Sequence, residues 1–198
     1  VIGSTSTDWG PTTLTLDQYS GVADLTKVVI TFTGNVTGTA GAENTSTASG
    51  QTIVLDLEAT MDLDTPDGST IQITPSDTRT FNAAVFDGST PPDYAGTSGI
   101  TYTGLVGSET GTLTITDPTD IATFYVGGGT FDVDMTAAGT SNASGGGNTA
   151  SFFTTAAGGT VTVSYYAAAV PEPATMLLLG SGLVGLAGLG RKKLQRNA

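Results

Sequence analysis

The sequence contains no cysteine and no histidine. Without cysteine the chain can form neither a disulfide framework nor a reactive thiolate. Without histidine it lacks the commonest general base and metal ligand. Most hydrolase constellations are thereby excluded, and we expect a protein that is not an enzyme and that uses no cofactor.

Positive charge is also scarce, because 6 Lys and Arg residues stand against 18 Asp and Glu residues. In the first 170 residues the bases are Lys27 and Arg79. Nucleic acid is excluded as a partner, since binding it requires cations that replace the phosphate counterions. The remaining surface is rich in acids and hydroxyls, which favours solubility and self-repulsion.

The C-terminal end has a different composition. Pro171, Glu172 and Pro173 form a segment that the two prolines hold extended and exposed. Residues 174–190 are uncharged and rich in Gly and Leu, and about 17 residues of helix would span roughly 25 Å, at the short end of what crosses a bilayer. Four cations follow, and cations beside a span stay on the cytoplasmic side: Arg191, Lys192, Lys193 and Arg196. We therefore expect a hydrophobic C-terminal helix that orients the rest of the chain outward.

This order of Pro-Glu-Pro, short apolar span and basic cluster resembles the sorting tail of PEP-CTERM proteins of bacteria with an outer membrane and an exopolysaccharide coat. The resemblance implies that an exosortase, a membrane protease, recognises Pro171, Glu172 and Pro173 and removes the span. The alternatives are an ordinary tail anchor with a proline-rich hinge, or an apolar helix that is retained for assembly. The chain starts at Val1 without an apolar leader, so secretion predicts a signal peptide removed before this numbering.

Residues 1–169 are predicted to form one extracellular domain and residues 170–198 the sorting and anchor segment. Apolar and polar residues alternate in many short stretches separated by turn residues, which indicates half-buried antiparallel strands. The predicted fold is all-β, an antiparallel β-sandwich of roughly nine or ten strands. The predicted strands are residues 12–16, 25–38, 51–63, 70–74, 79–86, 101–106, 110–116, 130–138, 149–155 and 160–166. Asp117 and Pro118 predict one or two helical turns over residues 119–125.

Several short stretches of the body resemble the "choice-of-anchor E" domain, which implies an extracellular location more than a molecular activity. They are residues 7–9, 14–19, 43–44, 86–88, 100–105 and 117–120, together with Gly38.

Three groups of side chains could carry chemistry. Asp62, Asp64 and Asp67 precede Gly68 as calcium ligands would, but their spacing is one residue too long and no bidentate acid follows, so we expect a solvated turn and no metal. Asp132 and Asp134 share one strand face, as do Asp56 and Glu58, and paired carboxylates can hydrolyse glycosides. Their surroundings are rich in threonine and poor in aromatics, so we expect a solvent-exposed strand surface and not a catalytic pair.

Aromatic side chains could stack on sugars, and Tyr166 is the outward-facing candidate because Tyr165 takes the inward position. The other aromatics considered are Trp9, Tyr19, Tyr94, Tyr102 and Tyr125. We expect a secreted, non-enzymatic structural protein, shown at a bacterial cell surface or held in a biofilm matrix after transient membrane anchoring. The alternatives are a homo-oligomeric subunit of a filament, tube or sheet that pairs its edge strands, and a module that binds glycan such as exopolysaccharide.

Overall fold

The computed structural model describes residues 1–168, and most of them lie in antiparallel strands. The strands are β1 (Ile2–Ser6), β2 (Trp9–Asp17), β3 (Leu25–Asn44), β4 (Gln51–Asp64), β5 (Thr70–Ile73), β6 (Ser76–Ala83), β7 (Gly99–Ile115), β8 (Thr130–Gly139), β9 (Asn142–Ser144) and β10 (Thr149–Ala167). A short helix, α1 (Pro118–Asp120), continues into a π-helical turn (Ile121–Tyr125).

Two sheets pack face to face. The first has the strand order β1-β10-β3-β7, and the second has the order β2-β8-β4-β5. In the second sheet, β5 and β6 pair one after the other with the same edge of β4, and β8 and β9 pair in the same way with its opposite edge. Both sheets are therefore four strands wide. β1 and β2 are therefore the outermost strands on one side of the sandwich. The predicted antiparallel β architecture is confirmed.

The core lies between β3 and β10 of one sheet and β4 and β8 of the other, and their alternating apolar residues all point into it. Fully burying one such side chain contributes roughly 1.5–3 kcal/mol. The core side chains with no exposed surface include Val28, Ile30, Phe32, Val36, Ile53, Leu55, Leu57, Met61, Leu63 and Met135.

Two local predictions are confirmed. The turn after β4 reverses the chain so that Met61 pairs with Ile73 and Asp64 with Thr70, and Gly68 takes a positive φ of 83° there. Asp117 caps the helix: its side chain accepts hydrogen bonds from the backbone N–H groups of Asp120 and Thr119, which hold its pKa below the ordinary value. The predicted turns at residues 119–125 are the π-helical turn and the end of α1.

Other boundaries were wrong. Residues 101–106 and 110–115 belong to one continuous strand, β7, which ends one residue before the predicted Thr116, and residues 149–155 and 160–166 belong to β10. Strand β3 continues six residues past its predicted end, to Asn44, and β1 and β9 were not predicted. The two merged pairs and the two missed strands offset one another, which is why the predicted number of strands agrees with the ten observed in residues 1–168.

Candidate functional site

The carboxyl group of Glu43, near the end of β3, lies in the protein interior. Its side chain has no exposed surface. Oε2 accepts a hydrogen bond from the backbone N–H of Tyr94 (2.8 Å), and Oε1 accepts one from the hydroxyl of Ser98 (3.1 Å). Both donors belong to the connection between β6 and β7, so Glu43 fixes that loop against the end of the first sheet.

Asp87 and Asp93 lie beside Glu43, and carboxylate oxygens of the three residues are within 4.8 Å of one another. The N–H of Ser89 donates to Asp87 and holds the pKa of that carboxyl below its ordinary value. Asp93 accepts from the backbone N–H of Ala95. Within residues 1–168, these three carboxylates are the group that could hold a metal ion, since hard oxygens are the ligands Ca²⁺ prefers. Their present hydrogen bonds all serve to order the loop.

Aromatic packing closes the same loop. Tyr94, which has a positive φ of 56°, meets Phe152 edge to face with ring centroids 4.8 Å apart. The ring of Phe152 lies directly on Gly41, where any side chain would overlap it. The loop is thus held by hydrogen bonds to Glu43 on one side and by ring contacts on the other.

The three acids that sequence spacing singled out do not converge. Asp62 accepts a hydrogen bond from Nε2 of Gln72 (2.8 Å), and Asp64 accepts one from the hydroxyl of Thr70 (2.5 Å). Asp67 lies in the turn itself and accepts from the hydroxyl of Thr65 and the backbone N–H of Ser69.

The hydroxyl of the buried Tyr125 has no hydrogen-bond partner among residues 1–168, and burial raises the pKa of this hydroxyl.

The paired acids of β8 and β4 each accept a hydrogen bond from a threonine hydroxyl, on a neighbouring strand for Asp132, Asp134 and Asp56 and just after β8 for Glu58. Asp134 and Asp132 accept from Thr13 and Thr15 of β2, both at 2.7 Å. Thr78 donates to Asp56, and Thr140 donates to Glu58 at 2.9 Å. These carboxylates are spaced along β8 and β4, and each already accepts a hydrogen bond from its own threonine.

The tyrosines of β10 point as predicted: Tyr166 is 47% exposed, whereas Tyr165 packs against the core. Lys27 places its ammonium 3.9 Å from the centre of the Tyr166 ring. The ring of Tyr165 contacts Tyr19 at 5.7 Å, and its hydroxyl donates to the carbonyl of Asp17 at 2.5 Å. One face of the Tyr166 ring is therefore already covered by a cation.

A polar groove lies where the chain crosses from β1 to β2, and we call it the β1–β2 groove. Its volume is about 630 Å³, and the residues that line it include Ser6, Asp8, Thr37, Ser141, Phe153 and Thr154. Sequence reasoning missed this site, because its walls come from four distant segments of the chain.

The predicted tail residues lie outside the described part of the chain. These are the sorting motif Pro171, Glu172 and Pro173, the cations Arg191, Lys192, Lys193 and Arg196, and the apolar run between them. Among residues 1–168 no helix has the length and hydropathy needed to span a bilayer.

Comparison with known families identifies the class of the tail. Residues 169–192 match the PEP-CTERM protein-sorting motif. The motif indicates export and sorting to the cell surface, and it implies recognition by exosortase, a membrane protein. The match includes the Pro-Glu-Pro segment and the first two of the four cations. No curated protein and no solved structure matches the chain.

Proposed function

We propose that this chain is a non-enzymatic β-sandwich that is displayed on the bacterial surface, or released into the surrounding matrix, after exosortase cleaves near Pro171, Glu172 and Pro173. The observation that carries the proposal is the position of the sorting motif, which begins two residues after the last strand ends at Ala167. The transient membrane anchor and the matrix location belong to this proposal.

The hydrogen bonding of the last strand supports cleavage without loss of the fold. β10 is an inner strand that pairs with β3 from Thr149 to Ala167, and the backbone N–H of Ala168 donates to the carbonyl of Asp24. The core cluster is built from residues between Val28 and Val161. A cut within residues 171–173 leaves all of these pairings in place.

Intact-mass spectrometry tests the proposal on protein recovered from the surface and the medium of a host that has an exosortase. We expect a mass that ends within or just before residues 171–173. A variant with alanine at Pro171, Glu172 and Pro173 should keep the full mass and remain in the membrane fraction, because the recognised segment is gone. Wild-type protein from a host without exosortase is the matched control. Full-length wild-type protein in the medium would contradict the proposal.

The second candidate is a self-assembling subunit, and the exposed sheet edges favour it. Among residues 1–168 no strand pairs with the outer edges of β1 and β2, and unpaired edges are templates for another chain. On β2, Pro11 removes one backbone donor, which makes this edge a poorer template than β1. The domain-level resemblance to choice-of-anchor E also remains a proposal, and it is compatible with either function.

Light scattering and negative-stain microscopy separate the two candidates. If β1 edges join copies, particle mass should rise with concentration, and Thr5→Lys on β1 should abolish this rise by adding charge to the edge. Thr162→Lys, on the inner strand β10, is the matched control and should leave assembly unchanged. A particle mass equal to one chain at every concentration would exclude assembly.

A further inference from the structure

The β1–β2 groove has the composition of a site for a polyhydroxylated ligand. We propose that it binds a neutral saccharide. The volume of about 630 Å³ lies within the roughly 300–1,000 Å³ typical of small-molecule sites. This inference concerns the folded body alone, so it stands independently of how the tail is processed.

Hydrogen-bonding groups line the groove. Ser6 and Thr154 are exposed hydroxyls of β1 and β10 that donate or accept. Asp8 uses Oδ1 to accept from the backbone N–H of Gly139 at 2.9 Å. Its second carboxylate oxygen, Oδ2, has no protein partner within residues 1–168, so it can accept from a sugar hydroxyl. Charge-assisted bonds of this kind are stronger than neutral ones.

Phe153 is the aromatic residue among those that line the groove. It is half-buried, packs against the core and lines the groove. A lining that combines an aromatic residue, a carboxylate and several hydroxyls suits a ring that has apolar C–H faces and a hydroxylated rim. Such a combination is less suited to a purely apolar ligand.

The charge of the groove limits the ligand class further. Among residues 1–168 no lysine or arginine lines it, and Asp8 is the one charged residue there. A phosphate or acidic sugar would be repelled, because nothing there compensates its charge. A divalent cation is also disfavoured, since a single carboxylate falls short of the several hard oxygens that Ca²⁺ requires. The charge therefore favours a neutral polar ligand, the class to which the proposed saccharide belongs.

Hydrogen bonds within the chain order the segments that form the groove. Asp8 has a left-handed backbone with φ of 67°, which Asp tolerates better than most residues. The backbone N–H of Asp8 donates to the carbonyl of Ala137 (2.9 Å), and the N–H of Thr7 donates to that of Thr155 (3.1 Å). The hydroxyls of Ser141 and Thr155 are 3.0 Å apart. A site ordered in this way loses little conformational entropy on binding.

Isothermal titration of the full-length protein with cello-, malto-, xylo- and mannohexaose tests the proposal, with oligogalacturonate as the anionic control. At least one neutral oligosaccharide should bind saturably, and more tightly than oligogalacturonate. Thr154→Trp should weaken that binding at least tenfold by filling the groove. Thr162→Trp, at an exposed threonine elsewhere on β10, should change it less than twofold.

Asp8→Asn provides a second variant that keeps the fold. Asparagine tolerates the positive φ and retains the oxygen that accepts from Gly139, but it removes the negative charge. We expect roughly tenfold weaker binding, which corresponds to the loss of one charge-assisted hydrogen bond. Circular dichroism should be unchanged. The proposal is wrong if no neutral oligosaccharide binds, if oligogalacturonate binds more tightly, if Thr154→Trp and Asp8→Asn both leave the affinity unchanged, or if Tyr166→Ala abolishes binding.

Discussion

Gly38→Ala is expected to lower the free energy of unfolding by about 3 kcal/mol or more, at the upper end of overpacking effects. A Cβ at position 38 would overlap the backbone carbonyl oxygen of Thr154 on β10, and it would lie 3.0 Å from Cδ1 of Leu57. The overlapping atom is main chain, so no rotamer change can relieve it. β3 and β10 would have to separate where Gly38 pairs with Thr155. Urea unfolding followed by circular dichroism measures the loss.

Gly3→Ala is the matched control for this prediction. Gly3 lies on β1, and a Cβ there would meet no atom of residues 1–168 within 4 Å. Its effect on the free energy of unfolding should remain within about 0.5 kcal/mol, as for most exposed positions. Equal effects of the two substitutions would mean that strand propensity, not the contact with β10, determines the cost at Gly38.

Strands with one buried face were predictable because burial follows the two-residue period of the backbone. In β4 every second residue from Ile53 to Leu63 is buried, and the sequence shows the same alternation. The turn at Pro66 and Gly68 and the cap at Asp117 were predictable for a similar reason: the residue type satisfies a purely local backbone requirement.

Long strands that contain glycine were not predictable, because their glycines are required by close contacts with residues that are distant in sequence. Gly107 interrupts the pattern of β7, yet it is required where the backbone of Ser76 approaches closely. Gly158 likewise interrupts the pattern of β10, and it is required because a Cβ there would lie 2.8 Å from the backbone of Ile2 and Ser4. A local interpretation takes such glycines as turn residues, whereas the packing of a second strand is what selects them.

The candidate sites also divide into those formed by neighbouring residues in the sequence, which were predictable, and those formed by distant residues, which were not. The sorting tail was recognisable because its three blocks follow one another in sequence, and the match to residues 169–192 confirms the motif. The β1–β2 groove joins residues more than a hundred positions apart, such as Asp8 and Thr154. The buried role of Glu43 was hidden because residues 39–50 appear small and polar, although residues 39–44 continue β3. The one sequence feature that pointed to Glu43 was the Glu43-Asn44 pair within the choice-of-anchor E resemblance.

Glu43→Ala is expected to cost about 3 kcal/mol or more of unfolding free energy. The substitution leaves the N–H of Tyr94 and the hydroxyl of Ser98 without their acceptors, and each unsatisfied buried group costs about 1–3 kcal/mol. It also opens a cavity at a position with no exposed surface. Glu43→Gln keeps the volume and one acceptor but turns an NH₂ group toward a donor, so an intermediate loss of about 1–2 kcal/mol is expected.

Hydrogen exchange distinguishes this anchoring role from a general loss of stability. In Glu43→Ala the amide of Tyr94 should exchange much faster than amides of β4, because the loop opens before the sandwich unfolds. Glu109→Ala serves as the control, since Glu109 is exposed although its carboxylate also accepts from a backbone N–H, that of Thr74 (2.5 Å). Its loss should stay below about 1 kcal/mol, because water replaces an exposed acceptor. If Glu43→Ala and Glu109→Ala were equally mild and Tyr94 stayed protected, the loop would be held by the contact between Tyr94 and Phe152 instead.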